Sequence, residues 1–212
     1  PLGYACGAFG KWNIGWDPGQ RPTERGFDEF LGHQSGNLGY FNHLYHGQND
    51  LRRGTERIDL NGWHSTDLFA DAACDFIRRH AAQPWMVYLP FNAVHFIGPH
   101  NVAPGEEVEW QAPASALARH GCQPDEPDPR KRFLAVLTAL DDAVCRVLDT
   151  VDDLKLRENT LVMFISDNGA FMLPGRGLEV QSNKPLRSGG VTTCEGGVRV
   201  PALFRWPGHL QS

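Results

Sequence analysis

The sequence lacks three features that would each indicate a class of protein. It has no CxxC pair, and its five cysteines are scattered and odd in number; this argues against a zinc ribbon or a redox dithiol and predicts mostly reduced thiols, at least one of them unpaired. It has no dense Lys/Arg cluster, and its net charge of −5 argues against a nucleic-acid partner. Its longest apolar run, Trp85 to Phe91, is far shorter than the ~20 residues of a membrane span.

What the sequence does contain is enough apolar material for a sizeable core. With 212 residues, 41% of them hydrophobic, the chain falls in the size range of one globular unit. We therefore expect a single unit without a membrane span.

Helical and strand patterns alternate along the chain, and this happens twice. Apolar residues at three- and four-residue spacing predict a helix from Ser65 to about His80, closed by Pro84 and followed by a buried strand from Trp85 to Phe91. A longer apolar face over 133–154 predicts a second helix, followed by a buried, parallel-type strand over 160–165. Such alternation is typical of an α/β layer fold.

Two further segments lie between and after these units. Residues 97–130 are rich in Pro, Gly, Glu and Asp, and we interpret them as a substrate-facing excursion outside the core. A last strand is predicted over 200–205, after a glycine-rich stretch that begins at 169.

Polar residues follow both predicted strands, where open α/β sheets bind ligands. Asp167 and Asn168 offer oxygen donors that suit calcium or magnesium, although Asp-Asn-Gly is also an ordinary turn. His95 could donate to an anionic oxygen or protonate a leaving group; the alternative is a structural loop histidine.

Basic residues occur near both ends of the chain. If residues 11–14 are extended, the side chains of Lys11 and Asn13 share one face, where an ammonium would stabilise an oxyanion; the alternative is a solvated surface lysine. Lys184 and Arg187 lie in a segment with two glycine pairs, which permit close backbone approach to a ligand; the alternative is a loop with structural ion pairs.

The order and separation of these motifs resemble the sulfatase family, of the alkaline phosphatase superfamily, over nearly the whole chain. The matching segments, in family order, are Gly3-Tyr4, Gly10-Lys11-Trp12, Gly26-Phe27-Asp28, Ser65-Thr66-Asp67, Ala139-Leu140-Asp141-Asp142, Ser166-Asp167-Asn168-Gly169, Pro185-Leu186-Arg187 and Glu195-Gly196-Gly197-Val198-Arg199-Val200-Pro201.

The resemblance implies an alkaline phosphatase-like α/β fold, with a mixed, mostly parallel sheet sandwiched by helices and incomplete at both ends. Residues 1–212 would form one partial catalytic domain, an internal piece that lacks the N-terminal nucleophile segment and the C-terminal subdomain. An isolated piece of this kind should be marginally stable, because missing neighbours expose apolar sheet edges and faces.

The resemblance also implies a sulfuric ester hydrolase with bound Ca²⁺ (or Mg²⁺) and a formylglycine nucleophile. Its substrate would be a small-molecule or glycan sulfate ester, and its compartment secreted, periplasmic or lysosomal. The residues carried over are Asp167 and Asn168 as metal ligands, Lys11 on the sulfate, His95 near the leaving oxygen, Asn13 at the place of a catalytic histidine, and Lys184 and Arg187 as substrate-binding residues.

Three departures from the family pattern weaken the expected activity. The formylglycine motif Cys/Ser-x-Pro-x-Arg is absent from this chain, Asn13 replaces the histidine after Lys-Trp, and Gly190 replaces a lysine. We expect the chain by itself to be inactive. Two alternatives stay open: a non-catalytic sulfatase-like binding protein, and a phosphoester or phosphonate hydrolase on the same scaffold.

Overall fold

The computed structural model describes residues 2–105, 109–172 and 180–211. The chain divides into two compact units, Pro1–Leu154 and Lys155–Ser212, and each is described by itself. The expectation of a single partial domain stays a prediction.

The first unit holds the main sheet and the long helices. Its elements, over the described residues, are β1 (Ala5–Lys11), β2 (Glu29–His33), β3 (Leu44–Tyr45), β4 (Gln48–Asn49), β5 (Leu51–Arg53), β6 (Glu56–Arg57), α1 (Ser65–His80), β7 (Trp85–Tyr88), α2 (Ala114–Arg119) and α3 (Pro129–Asp153), with short 3₁₀ turns at Pro22–Glu24 and Pro99–Asn101.

The main sheet has five strands in the order β6-β5-β2-β1-β7. Strand β1 runs parallel to both β2 and β7, whereas β5 pairs antiparallel with β2 and β6 with β5. The sheet is therefore mixed, which confirms the predicted fold class. Because β2, β1 and β7 are parallel, their carboxyl ends lie along one edge of the sheet.

The core of this unit lies between the sheet and α1. Phe9 on β1 packs edge-on against Phe76 on α1, with ring centroids 5.6 Å apart, and Phe69 is fully buried in the same cluster. Each such ring contributes roughly 1.5–3 kcal/mol by leaving water. The predicted helix from Ser65 to about His80 is confirmed, and its buried residues recur at helical spacing.

The long helix α3 begins at a capped amino terminus. The Asp128 side chain accepts a hydrogen bond from the backbone N–H of Arg130 at 2.9 Å, and Pro129 occupies the first helical position, where its missing N–H costs nothing. The helix therefore begins four residues before the predicted apolar face and ends at Asp153.

The interpretation of residues 97–130 as lying outside the core is wrong. Ile97 and Trp110 are each only 1% exposed, and the Trp110 ring packs edge-on against Phe133 of α3 at 5.8 Å. The prolines interrupt regular structure, but apolar residues between them are still buried, and α2 forms within this segment.

The second unit contains a small sheet. Its elements, over the described residues, are a 3₁₀ turn at Arg157–Asn159, β8 (Val162–Ile165), α4 (Glu195–Val198) and β9 (Ala202–Arg205). The two strands pair antiparallel, and Met163, Phe164 and Ile165 are exposed. The prediction of a buried, parallel-type strand here is wrong, because an apolar run fixes neither the direction of its partner nor its burial.

All five cysteines are free thiols, as expected. Across the described ranges, no helix is long and apolar enough to cross a membrane.

Candidate active site

Lys11 ends one strand, and His95 follows another, at the carboxyl edge of the parallel part of the sheet. Lys11 is the last residue of β1 and lies in register with His33, the last residue of β2. His95 lies seven residues beyond the end of β7, the other neighbour of β1. The structure thus brings the predicted lysine and histidine to the same edge.

The loop that carries His95 is fixed by the segment that follows β2. The Tyr40 hydroxyl donates to the His95 carbonyl at 2.9 Å, and the Asn37 side chain donates to the Phe96 carbonyl at 2.7 Å. Asn92, which is buried, donates to the Leu38 carbonyl at 3.0 Å. These contacts join residues 54–59 positions apart, so no local spacing in the sequence could have indicated them.

The orientation of the His95 ring assigns its tautomer. Its Nδ1 lies 2.7 Å from the Phe96 carbonyl oxygen, which can only accept, so Nδ1 carries a hydrogen. Proton exchange with an ester oxygen would then take place at Nε2. In this neutral tautomer Nε2 can accept a proton, and it can donate one only when the ring carries a second hydrogen there.

Asn13 does not continue strand β1. The strand ends at Lys11, and Asn13 has a φ of +46°, in the left-handed region that asparagine tolerates. The condition under which Lys11 and Asn13 would share one face, an extended 11–14 segment, is therefore not met. The turn is held by Trp12, whose buried indole N–H lies 2.9 Å from both the Gly15 and Gln20 carbonyls.

His33 is a residue that the sequence analysis missed. Its ring is fully buried, stacks on Phe69 at 6.2 Å, and has no hydrogen-bond partner at either nitrogen. Burial, followed by the positive charge of Lys11, lowers the pKa of His33 to about 3, while the interaction of the ring with the Ser35 backbone partly opposes the shift. The ring is therefore neutral at physiological pH.

In the second unit, Asp167 and Asn168 follow β8 after Ser166, as predicted. The Ser166 hydroxyl donates to the Asn168 carbonyl at 2.8 Å, and the Asn168 side-chain amide donates to the Gly169 carbonyl at 3.0 Å. The second bond engages the amide nitrogen and leaves Oδ1, the atom that a hard cation would take, on the other side of the amide group.

The backbone after Asn168 is packed so closely that side chains are excluded. A Cβ on Gly169 would overlap the Gly196 carbonyl oxygen, and one on Gly190 would lie 2.6 Å from the Gly169 carbonyl oxygen. The Asn183 side chain brackets this turn, accepting from the Ala170 N–H at 2.9 Å and donating to the Ala170 carbonyl at 2.8 Å. The glycines and Asn183 together fix the backbone that carries Asp167 and Asn168.

Lys184 and Arg187 belong to this same unit. Lys184 is exposed, and the backbone carbonyl of Arg187 accepts from the Gly196 N–H at 2.9 Å, which ties its segment to α4. The Arg199–Glu195 ion pair at 2.9 Å is exposed and contributes little to stability. The gathering of the residues of both units around one pocket stays a prediction.

The donor types at Asp167 and Asn168 fit calcium or magnesium. One carboxylate and one amide oxygen, both at a fixed turn, are hard ligands. Calcium takes 6–8 oxygens, so two residues account for only part of a site. Within the described ranges no group of three or more His, Cys, Asp or Glu is placed to hold a metal.

Comparison with known proteins gives a consistent result. The family model described as Sulfatase matches residues 2–212. The human N-acetylgalactosamine-6-sulfatase is 31% identical over 222 residues, covering 98% of this chain and 38% of that protein. A protein of Formosa agariphila named Sulfatase is 37% identical over 159 residues, covering 69% of this chain and 26% of that protein.

The fold is also found among solved structures. The crystal structure of Ps i-CgsB in complex with k-i-k-neocarrahexaose matches with a TM-score of 0.78 at 28% identity, covering 98% of this chain and 46% of that one. The chain thus spans less than half the length of these relatives.

Proposed function

Since the chain belongs to the sulfatase family, we propose that the full-length protein hydrolyses sulfate esters of a glycan. The observation that carries the proposal is the placement of Lys11 and His95 at one edge of the sheet, where the neighbouring parallel strands β1 and β7 end. A cation and a proton donor held at one edge suit a reaction in which negative charge develops on two different oxygens.

Each residue has a role that follows from its chemistry. The Lys11 ammonium offsets negative charge on a sulfate oxygen. For His95 to give a proton from Nε2 to the leaving ester oxygen, its ring must carry hydrogens on both nitrogens; after the transfer it is the neutral form with Nδ1–H held by the Phe96 carbonyl. Asn13 can hydrogen-bond to an oxygen of the substrate but cannot exchange a proton near neutral pH.

Asp167 and Asn168 would hold the calcium ion, with further ligands from outside this chain. When bound, calcium supplies positive charge beside the sulfuryl oxygens. The formylglycine nucleophile would also come from outside this chain, because residues 1–212 contain no Cys/Ser-x-Pro-x-Arg motif. We assign Lys184 and Arg187, which share the second unit with the glycine turn, to substrate binding.

The choice of a glycan rests on the relatives. One is named for a sulfate on N-acetylgalactosamine, and another was crystallised with a neocarrahexaose. Both names denote sugar ligands, and we extend that substrate class to this protein.

The test is turnover by the full-length protein of an aryl sulfate, an aryl phosphate and sulfated galactose-type oligosaccharides, with released sulfate measured by ion chromatography. Lys11→Ala and His95→Gln should each lower kcat about 10²- to 10³-fold, the usual loss for one positioned donor. Lys131→Ala is the matched control, because Lys131 is half-exposed and contacts Glu126 on the surface.

The other outcomes identify the alternatives. Turnover of the phosphate ester alone would indicate a phosphoester hydrolase. Binding of inorganic sulfate without turnover of any ester would indicate a non-catalytic binding protein, which the replacements at positions 13 and 190 favour.

A further inference from the structure

The buried ring of His33 is a polar group that has no role in the proposed reaction. It is 0% exposed, and both ring nitrogens are buried without a hydrogen-bond partner. Proteins rarely bury an imidazole in this way, because each unsatisfied polar group loses its bonds to water. One ring nitrogen interacts with the Ser35 backbone, so the other nitrogen is available to accept a hydrogen bond.

The sheet register indicates which partner that is. His33 and Lys11 are paired residues at the ends of adjacent parallel strands, so their side chains leave the same face of the sheet side by side. Their neighbours on that face, Leu31 and Phe9, both belong to the core under α1. His43 and His95 also lie within electrostatic range of the ring.

We propose that His33 is a positioning residue for Lys11: when an anion is bound, one imidazole nitrogen accepts a hydrogen bond from the Lys11 ammonium. The inference rests on the proposed function, in which Lys11 contacts the sulfate. The ammonium has three hydrogens, so one can be held by His33 while the others point to the anion.

Neutrality of the ring is necessary for this role. A protonated His33 could only donate, and it would repel the lysine beside it. Burial beside Phe69 and the charge of Lys11 both keep the ring neutral. The same surroundings make the ring rigid, because stacking fixes its orientation.

The variants His33→Leu and His33→Gln separate positioning from packing. Leucine fills the apolar site but removes the acceptor, whereas glutamine keeps an amide oxygen that can accept from Lys11. Because the ring is unsatisfied, His33→Leu should leave the melting temperature of the full-length protein unchanged or raise it. It should lower kcat/KM for an aryl sulfate about 10- to 100-fold, the loss expected from a misplaced active-site group. His33→Gln should restore part of that loss.

A double-mutant cycle with Lys11→Ala makes the test specific. If His33 acts through Lys11, His33→Leu has no further effect in the Lys11→Ala background. Additive losses, or a His33→Leu variant equal to wild type, would overturn the inference while leaving the proposed function intact. If His33→Leu does not fold, the same cycle is run with His33→Ala and His33→Gln.

A second measurement tests the inference even if the protein turns over no ester. Affinity for inorganic sulfate, measured by calorimetry on wild type and the three variants, should fall in His33→Leu and Lys11→Ala to a similar level. Equal sulfate affinity in wild type and His33→Leu would overturn the positioning role.

Discussion

Gly190 stands where the sulfatase family has a lysine, and the structure predicts that the lysine cannot simply be restored. A Cβ at this position would lie 2.6 Å from the Gly169 carbonyl oxygen and 3.3 Å from the Asn168 amide nitrogen. The first distance is too short for any carbon–oxygen contact, and the contacted atom belongs to the backbone, so the turn itself would have to move.

Displacing the turn should lower the stability of the folded protein. Overpacking against a fixed backbone typically destabilises by about 1–3 kcal/mol, which lowers Tm by about 2–4 °C per kcal/mol in a domain of roughly 150–250 residues. The Asn168 side-chain amide donates to the Gly169 carbonyl that is displaced, so calcium affinity should fall as well.

The assay compares Gly190→Ala, Gly190→Lys and the control Gly98→Ala in the full-length protein. Gly98 has a φ of −73°, and a Cβ added there would have no atom within 4 Å, so alanine at this position should be neutral. Thermal scans with and without calcium should show a lower Tm and a smaller calcium-induced rise for both Gly190 variants. The reasoning is refuted if Gly190→Lys raises sulfate ester turnover at an unchanged Tm.

Two further predictions concern stability. Burial lowers the pKa of His33 to about 3 and of His64 to about 4. The unfolded chain therefore takes up protons below pH ~6.5 that the folded protein does not. The free energy of unfolding should fall as pH decreases from ~6.5 toward ~4, by about 1.4 kcal/mol per pH unit for each group. Urea unfolding midpoints at pH ~7 and pH ~5 measure this loss of stability. His33→Leu should reduce the difference between the two midpoints, and equal midpoints in the wild type would contradict the prediction. Asn183→Ala should cost about 1–3 kcal/mol by leaving the Ala170 backbone groups unpaired, and it should weaken calcium binding in a calorimetric titration. Asn183→Asp keeps the acceptor for the Ala170 N–H but sets a carboxylate oxygen against the Ala170 and Ser188 carbonyls, so it should also be destabilised; a wild-type Tm in Asn183→Asp would show that the bonds donated by Asn183 do not matter.

Elements whose signal is local could be predicted from the sequence. Helix α1 has apolar residues at regular three- and four-residue spacing over 16 residues, so its bounds could be predicted. The start of β7 is marked by Pro84, and Asp167 and Asn168 do follow a strand.

Other elements could not be predicted because their signals are weak or distant. Strand β1 contains Gly7 and Gly10, which weaken its strand pattern, yet those glycines let neighbouring backbone and rings approach. The antiparallel partner of β8 is β9, which lies far along the chain, beyond any periodicity argument. The contacts of Asn37, Tyr40 and His33 exist only once the sheet has formed.

The two departures from the family pattern differ in how the fold accommodates them. At position 13 the backbone is left-handed, a conformation that asparagine and histidine both adopt more readily than most residues, and the neighbouring Gly36 has no side chain beside the Asn13 amide. At position 190 the backbone of Gly169 occupies the space that any side chain needs. At position 13 the difference from the family is therefore a change of one side chain. At position 190 the backbone of the turn that carries Asp167 and Asn168 leaves no space for a side chain. Under the proposed function, the charge of the anion would be balanced by other cations, and Lys184 and Arg187 in the second unit carry positive charge.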